Sequence, residues 1–156
     1  MGTPIEGGCF CKAVRYRLHR EPMFVNCCHC LNCQSQTGSA FVVNAIIETD
    51  QIELLSGELV VNEVVSGRGG PHDIFRCSEC GVAVWSRYER REGMRLVRVC
   101  TLDDPTTFEP QAHIFTRSKL PWITLPGGVP SFEDFYKTQE VWPEESFKRA
   151  MAAMNM

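Results

Sequence analysis

The sequence predicts a mainly β fold with short C-terminal helices, organised around clusters of cysteine. Two observations lead there. Short apolar, β-branched segments recur between turn signals, the spacing expected of an all-β core. Most of the nine cysteines fall into three tight clusters, each too short to bury itself.

Taken in order, the first strand follows a turn predicted at Gly7-Gly8. Val14, Tyr16 and Leu18 alternate there with Arg15, Arg17 and His19, the period of two of a half-buried strand, so that Cys9 and Cys11 sit at its mouth. Further apolar segments at 41–47, 52–55, 59–65, 82–85 and 96–100 read as strands. They are separated by breakers such as Ser56-Gly57 and the glycine-rich loop 66–71, the one segment suited to act as a lid. The tail changes character. Ser131 can cap a short helical turn with Asp134 three residues on, and Pro143 suits the first position of a helix opened by Glu144 and Glu145. Phe147, Met151 and Met154 share a face of that helix, which is expected to pack on the core.

The bulk properties narrow the function classes. A chain of 156 residues with 44% hydrophobic and 22% charged composition fits a single domain, taken as 1–156. A net charge of −3 and the lack of any run of like charges give no electrostatic footprint for nucleic acid. The most apolar stretch, 40–47, is broken by Asn44 and falls far short of the roughly 20 residues that cross a bilayer, so no membrane partner is expected. The first residues have neither the basic and apolar regions of a signal peptide nor a myristoylation signal, and a cytoplasmic protein is expected.

Nine is an odd number of cysteines, and a closed disulfide set would leave one over. In a reducing compartment, closely spaced cysteines are metal ligands or catalytic groups more often than bridges. The clusters are Cys9-Phe10-Cys11, Cys28-His29-Cys30-Leu31-Asn32-Cys33 and Cys77-Ser78-Glu79-Cys80-Gly81. Zinc favours four tetrahedral thiolates in a structural site, and two pairs from distant parts of a chain can supply them. Cys77-x-x-Cys80 makes a good half-site, since Gly81 lets the backbone turn tightly after it. Spacing alone does not choose its partner. If Cys9 and Cys11 join it, the middle cluster keeps three ligands, the count of an open catalytic zinc; His29 or Cys27 could instead close that site. A metal held by three thiolates is a weak generator of hydroxide but suits an incoming sulfur ligand. It could deprotonate a substrate thiol and set it against a small carbonyl compound, which is carbon–sulfur bond making or breaking.

With these residues in view, the chain resembles the glutathione-dependent formaldehyde-activating enzyme family, also described as the centromere protein V/GFA domain. Gly8-Cys9-Phe10-Cys11 followed by Ala13-Val14-Arg15-Tyr16 is similar to the family's opening. Cys28-His29-Cys30-x-x-Cys33 with Gly38-Ser39-Ala40 is similar to its second block, and Phe75-Arg76-Cys77-x-x-Cys80-Gly81 to its third. Thr101-Leu102-Asp103-Asp104-Pro105, His113-Ile114-Phe115 and Ser118-Lys119-Leu120-Pro121-Trp122 resemble its C-terminal part. The resemblance implies a β-tent fold with two Zn²⁺ per chain. It assigns Cys9, Cys11, Cys77 and Cys80 to a structural zinc, and Cys28, Cys30 and Cys33 to a catalytic one. It also implies a carbon–sulfur lyase activity that joins glutathione to formaldehyde. Family members commonly have other residues where this chain has Cys27 and Cys100. Cys27 opens an alternative Cys27-x-x-Cys30 pairing, whereas Cys100 reads as a small buried hydrophobe.

Other residues carry weaker signals. His29, between two proposed ligands, should point away from their metal and is a candidate for an orienting or acid–base role. His19 and His72 read as surface histidines, and no role is assigned to His113. Glutathione brings two carboxylates, so arginines are its expected partners; Arg68 and Arg76 are the leading candidates, with Arg117 and Lys119 behind them. Trp85, Trp122 and Trp142 are expected to anchor packing. The competing readings are a zinc-stabilised protein-binding module without catalysis and a disulfide redox protein built on Cys27-Cys28. The sequence leaves the oligomeric state open.

Overall fold

The computed structural model describes residues 4–155. The chain runs β1 (Ile5–Gly8), β2 (Arg15–Leu18), β3 (Phe24–Cys28), α1 (Leu31–Thr37), β4 (Val42–Glu48), β5 (Ile52–Ser56) and β6 (Leu59–Val65). It continues through β7 (Pro71–Cys77), β8 (Ala83–Tyr88), β9 (Met94–Arg98), β10 (Ala112–Ile114), α2 (Thr138–Val141) and α3 (Glu144–Met154). This is the mainly β, tent-like architecture expected, closed by short helices at the C-terminal end and built here from two sheets. A three-stranded sheet has the order β1-β2-β5, and a seven-stranded sheet the order β10-β3-β4-β9-β8-β7-β6. Among the described strand pairs, only β10 and β3 run parallel.

The middle of the large sheet is covered on both faces, so alternate residues of its strands enter different cores. Ala45 and Ile47 of β4 face a core with Val14, Tyr16, Leu18, Val25 and Trp85. Val42 and Ile46 of the same strand face a second core with Phe24, Ala112, Tyr136 and Trp142. Strands buried on both faces read as continuous apolar runs, not alternations, which is how β4 looked in the sequence.

The C-terminal segment covers the second core through polar as well as apolar contacts. Trp142 Nε1 donates to the Tyr136 hydroxyl at 2.8 Å, and that hydroxyl donates to Asn26 Oδ1 at 2.8 Å. The Trp142 ring stacks on Phe24 with centroids 5.1 Å apart. Arg149 of α3 grips both carboxylate oxygens of Glu48 at 2.7 Å. A buried hydrogen bond contributes about 1 kcal/mol net, and losing one partner strands the other; the segment is therefore keyed to β3 and β4.

Several expectations are corrected. Gly7 and Gly8 belong to β1 instead of a turn; a Cβ on Gly7 would stand 2.5 Å from the Tyr16 hydroxyl, so the glycine admits that ring. Ser131 caps no helix and bridges His113 instead. Pro143 is the residue before α3 and not its first position, while Ala150 and Ala153 make the buried contacts and Met151 and Met154 are exposed. Trp122 is 71% exposed and anchors nothing, unlike Trp85 and Trp142. Cys100 is exposed in the 3-10 turn Val99–Thr101, because β9 ends at Arg98. His19 does lie on an exposed face, beside Glu53.

His72 is corrected most sharply. It is 1% exposed, its ring stacks on Tyr88 at 3.8 Å, and neither ring nitrogen has a hydrogen-bond partner. Burial, and then the positive charge of Arg98, push its pKa down to about 4. An unfolded histidine takes up its proton near pH 6.5. The unfolded state therefore binds the extra proton between about pH 6.5 and pH 4, and stability falls as the pH drops through that window. His72→Gln, neutral at every pH, should melt below the parent at pH 8, and the gap should narrow on going from about pH 6.5 to pH 4. Melting curves that stay parallel across this range would remove His72 as a source of acid lability.

Candidate metal centres and the adjoining cavity

Two turns of the same design bring the outer cysteines together. After Cys9 and Cys11, Lys12 takes a left-handed conformation (φ 66°) and donates its N–H to the Cys9 carbonyl at 3.1 Å. After Cys77 and Cys80, Gly81 does likewise (φ 74°), its N–H reaching the Cys77 carbonyl at 3.0 Å. The loops present backbone N–H groups to sulfur: Val14 to Cys9 at 3.3 Å and Glu79 to Cys77 at 3.4 Å. Backbone hydrogen bonds from Cys11 and Val82 lower the Cys80 thiol below its ordinary range. The four sulfurs lie within 4.8 Å of one another, with Cys9 to Cys11 at 3.4 Å and Cys11 to Cys77 at 3.8 Å. Tetrahedral zinc with bonds of about 2.3 Å places its sulfurs roughly 3.8 Å apart. The donor set fits that ion, and the distances far exceed the roughly 2.05 Å of a disulfide.

The middle cluster is built at a strand-to-helix junction. Cys28 ends β3, Cys30 caps α1 with its sulfur accepting the Cys33 N–H at 3.3 Å, and Cys33 lies in the first helical turn. Gly38 ends the helix in the left-handed conformation. Their three sulfurs also lie within 4.8 Å of one another. Hydrogen bonds from Cys28 and Cys33, together with backbone N–H groups, make Cys30 the acidic member, well below an ordinary thiol. Three convergent sulfurs with an acidic member suit a soft cation with one position left over.

Cys27 and His29 do not join this cluster. Strand alternation sends Cys27 to the opposite face from Cys28, and His29 follows it. His29 is fully buried, and its Nε2 lies 3.0 Å from His113 Nδ1 and 3.6 Å from Cys27 Sγ. Burial, then His113 and Lys119, push His29 down to about 4, and burial raises the Cys27 thiol to about 12. The cysteines group by face, Cys28 with Cys30 and Cys33 and Cys27 with His29 and His113, which differs from the alternative Cys27-x-x-Cys30 register. The one hydrogen bond between the neutral imidazoles joins the CHC block to β10.

Cys28 and Cys30 open into a cavity of about 580 Å³. Arg68 borders it, its guanidinium 5.5 Å over the Phe135 ring, and among the described residues it has no acidic partner. Arg117 also borders it but is paired with Asp134. Ser66 and Gly67, from the β6–β7 turn expected to form a lid, form part of the rim. Arg76 does not reach the cavity: it bonds the Gly81 carbonyl at 3.0 Å and Gln36 Oε1 at 3.4 Å, between the two cysteine clusters. Lys119 is occupied by the Ile123 carbonyl at 2.7 Å. His29 is likewise absent from the cavity wall.

Sequence reasoning missed Arg98. It is 6% exposed, sits opposite Asn44 in the β4–β9 register, and donates to Asn44 Oδ1. Burial disfavours its charge, while Cys33, Tyr88 and Cys28 favour it. A signal was present: Arg98 has the same strand parity as Met94 and Leu96, which line the cavity, so it breaks an inward-facing series with a cation.

The model of the family described as glutathione-dependent formaldehyde-activating enzyme matches residues 4–118. A curated relative from Halomonas elongata is 24% identical over 126 residues, covering 78% of this chain and 80% of its own length; its assignment as a glutathione-dependent formaldehyde-activating enzyme is provisional. A crystal structure of a Rhodobacter sphaeroides protein matches with a TM-score of 0.50 at 18% identity, covering 67% of this chain and 91% of that one, which speaks to the fold alone.

Arg98→Met, which keeps length but removes the charge, should weaken zinc binding at the middle cluster by about 10–100-fold, as loss of groups that support metal ligands generally does. Chelator competition on the purified protein reads this directly, with the zinc of the outer cluster as the internal reference. Equal affinities in parent and variant would show that Arg98 serves the fold only.

Proposed function

The chain belongs to the glutathione-dependent formaldehyde-activating enzyme family, and on that premise we propose that it joins a small thiol to an aldehyde, or reverses that addition, as a zinc-dependent carbon–sulfur lyase. The observation that carries this reading is the opening of Cys28 and Cys30 into the cavity while Cys27 and His29 face elsewhere. A four-coordinate, purely structural centre would need a fourth ligand, and among the described residues the cluster has three. The binding-module alternative has no comparable observation in its favour.

Zinc held by Cys28, Cys30 and Cys33 would supply a soft Lewis-acidic position at which a substrate thiol loses its proton near neutral pH. The residues of the chain do the rest. Arg68, free of an acidic partner, is placed to receive a carboxylate of the thiol substrate. The cavity walls hold the aldehyde against the sulfur and exclude water, converting a two-body encounter into an oriented one. In the net reaction the S–H bond breaks, and the sulfur electron pair forms the C–S bond. The carbonyl π pair moves to oxygen, which takes up one proton. No oxidant or reductant is needed. Glutathione and formaldehyde are the substrates the family suggests, and a reducing, cytoplasmic setting suits nine unbridged thiols.

The two clusters should fail differently when altered. The outer one joins the β1–β2 loop to the β7–β8 turn, and structural zinc contributes about 10–16 kcal/mol that appears as folding energy. Cys80→Ser should therefore unfold or aggregate. Cys30→Ser should remain folded, lose one of two zinc equivalents by metal analysis, and lose the proton release that accompanies glutathione binding in weak buffer near pH 7. Consumption of formaldehyde above the uncatalysed rate should vanish with it. A native-like Cys80→Ser protein, or a Cys30→Ser protein that still releases protons on binding thiol, would overturn the division.

A further inference from the structure

The cavity is far larger and more apolar than formaldehyde requires. A two-heavy-atom aldehyde needs about the space of two waters at roughly 30 Å³ each, whereas the cavity measures about 580 Å³, the size that encloses a drug-like molecule. Its two ends also differ in chemistry. Cys28 and Cys30 form one end, with Arg68 at the rim; Ile46, Met94 and Leu96 supply an apolar floor from β4 and β9. Trp142, Phe147, Ala150 and Met154, from α3 and the segment leading to it, form an apolar wall, while Phe135 lies under the Arg68 guanidinium. All five lie beyond residue 118, outside the part of the chain that the family model matches.

Glutathione does not account for this wall. It is a strongly polar molecule with two carboxylates and an ammonium group, and of the cavity arginines Arg91 is paired with Glu89 and Arg117 with Asp134. One arginine, Arg68, is left to meet a carboxylate. Apolar surface facing an apolar ligand gains about 0.8 kcal/mol for each buried CH₂, whereas burying the charged groups of glutathione there would be costly.

We propose that the aldehyde partner in this chain carries an aliphatic or aromatic group, which lies against the wall formed by Trp142, Phe147, Ala150 and Met154. This rests on the reading of Cys28 and Cys30 as the end that receives the thiol sulfur. With the sulfur fixed there, the carbonyl carbon bonded to it directs its substituent along the floor toward α3. The polar remainder of the thiol stays at the rim with Arg68. The bonds made and broken are those of the parent reaction; only the substituent on the carbonyl carbon changes.

The test separates the apolar wall from the thiol site. Straight-chain primary alcohols from ethanol to octanol, which carry no sulfur, are titrated calorimetrically into the zinc-loaded protein, and glutathione is titrated separately for proton release. Affinity for the alcohols should rise about fourfold per CH₂ over most of the series. In Met154→Glu, whose side chain is partly exposed and should not disturb folding, the rise should flatten while zinc content, melting temperature and glutathione binding stay unchanged. With glutathione as co-substrate, hexanal should exceed formaldehyde in kcat/KM by at least tenfold, the advantage lying mainly in KM. Glutathione binding without any chain-length dependence would overturn this proposal and leave the parent reading standing. Chain-length dependence without proton release would sustain the apolar wall and sink the thiol site.

Discussion

Strand β3 lies inside a sheet covered on both faces, and the alternation of its side chains decides what the site is made of. Phe24, Asn26 and Cys28 face the second core and the cavity, while Val25 and Cys27 face the other way. A slip of one residue would exchange every one of these. Cys27, whose thiol burial raises to about 12, would replace Cys28 beside Cys30. Asn26 would leave the Tyr136 hydroxyl that receives the Trp142 indole N–H, and the C-terminal segment would lose its seat. The register is held from both sides, by β4 in antiparallel and β10 in parallel pairing, with the His29–His113 contact just beyond the strand end. The same alternation thus sets the sulfur cluster, the cavity and the docking of the tail.

Charge imposes the second constraint. Three ionised thiolates on a divalent cation carry a net negative charge, and a fourth sulfur ligand deepens it. Burying such a centre without a counter-charge would be unfavourable. With a cation held by Cys28, Cys30 and Cys33, Arg98 would meet this need from β9, nearly enclosed and hydrogen-bonded to Asn44 across the strand pair. Burial keeps His72 neutral, and the positive charge of Arg98 reinforces it. The outer cluster, with Cys9 and Cys77 buried but Cys11 and Cys80 at the surface, has water and backbone N–H groups to spread its charge, and no comparable buried cation attends it among the described residues.

What could be read from the sequence follows from how local each feature is. The cysteine clusters are local, and Gly81 announced its turn; their grouping into four and three sulfurs agrees with the division that the family resemblance implied. The regular apolar strands β2, β4, β5 and β6 were legible too. Strands β1, β3, β7 and β10 were not, since glycine, asparagine, cysteine, histidine and proline interrupt the apolar signal in short elements whose pairing is long-range. Helix α1 was missed because its cap is the sulfur of Cys30, a residue read only as a ligand. His72 and Arg98 were misjudged or passed over for the same reason: burial of a polar residue depends on partners such as Tyr88 and Asn44, and nothing in the local pattern names them. Arg76 shows the reverse error, a cation adjacent to a cysteine block in sequence that spends its donors on Gly81 and Gln36.

These differences in locality bear on what family membership can say about substrate. The sulfur end of the cavity comes from residues 28–33, within the matched region, and its chemistry follows from three thiolates in a short loop and helix turn. The far wall comes from α3 and the segment leading to it, outside that region, and its composition follows from how the tail packs on Asn26, Phe24 and Glu48. On the proposed function the two ends are free to vary independently: the reaction class would belong to the first, and the choice of carbonyl compound to the second. A pocket that keeps the sulfur end while its other wall is supplied by a separately docked helix can change what it accepts without disturbing the metal ligands, because the connection between them runs through hydrogen bonds at β3 and not through the cluster itself.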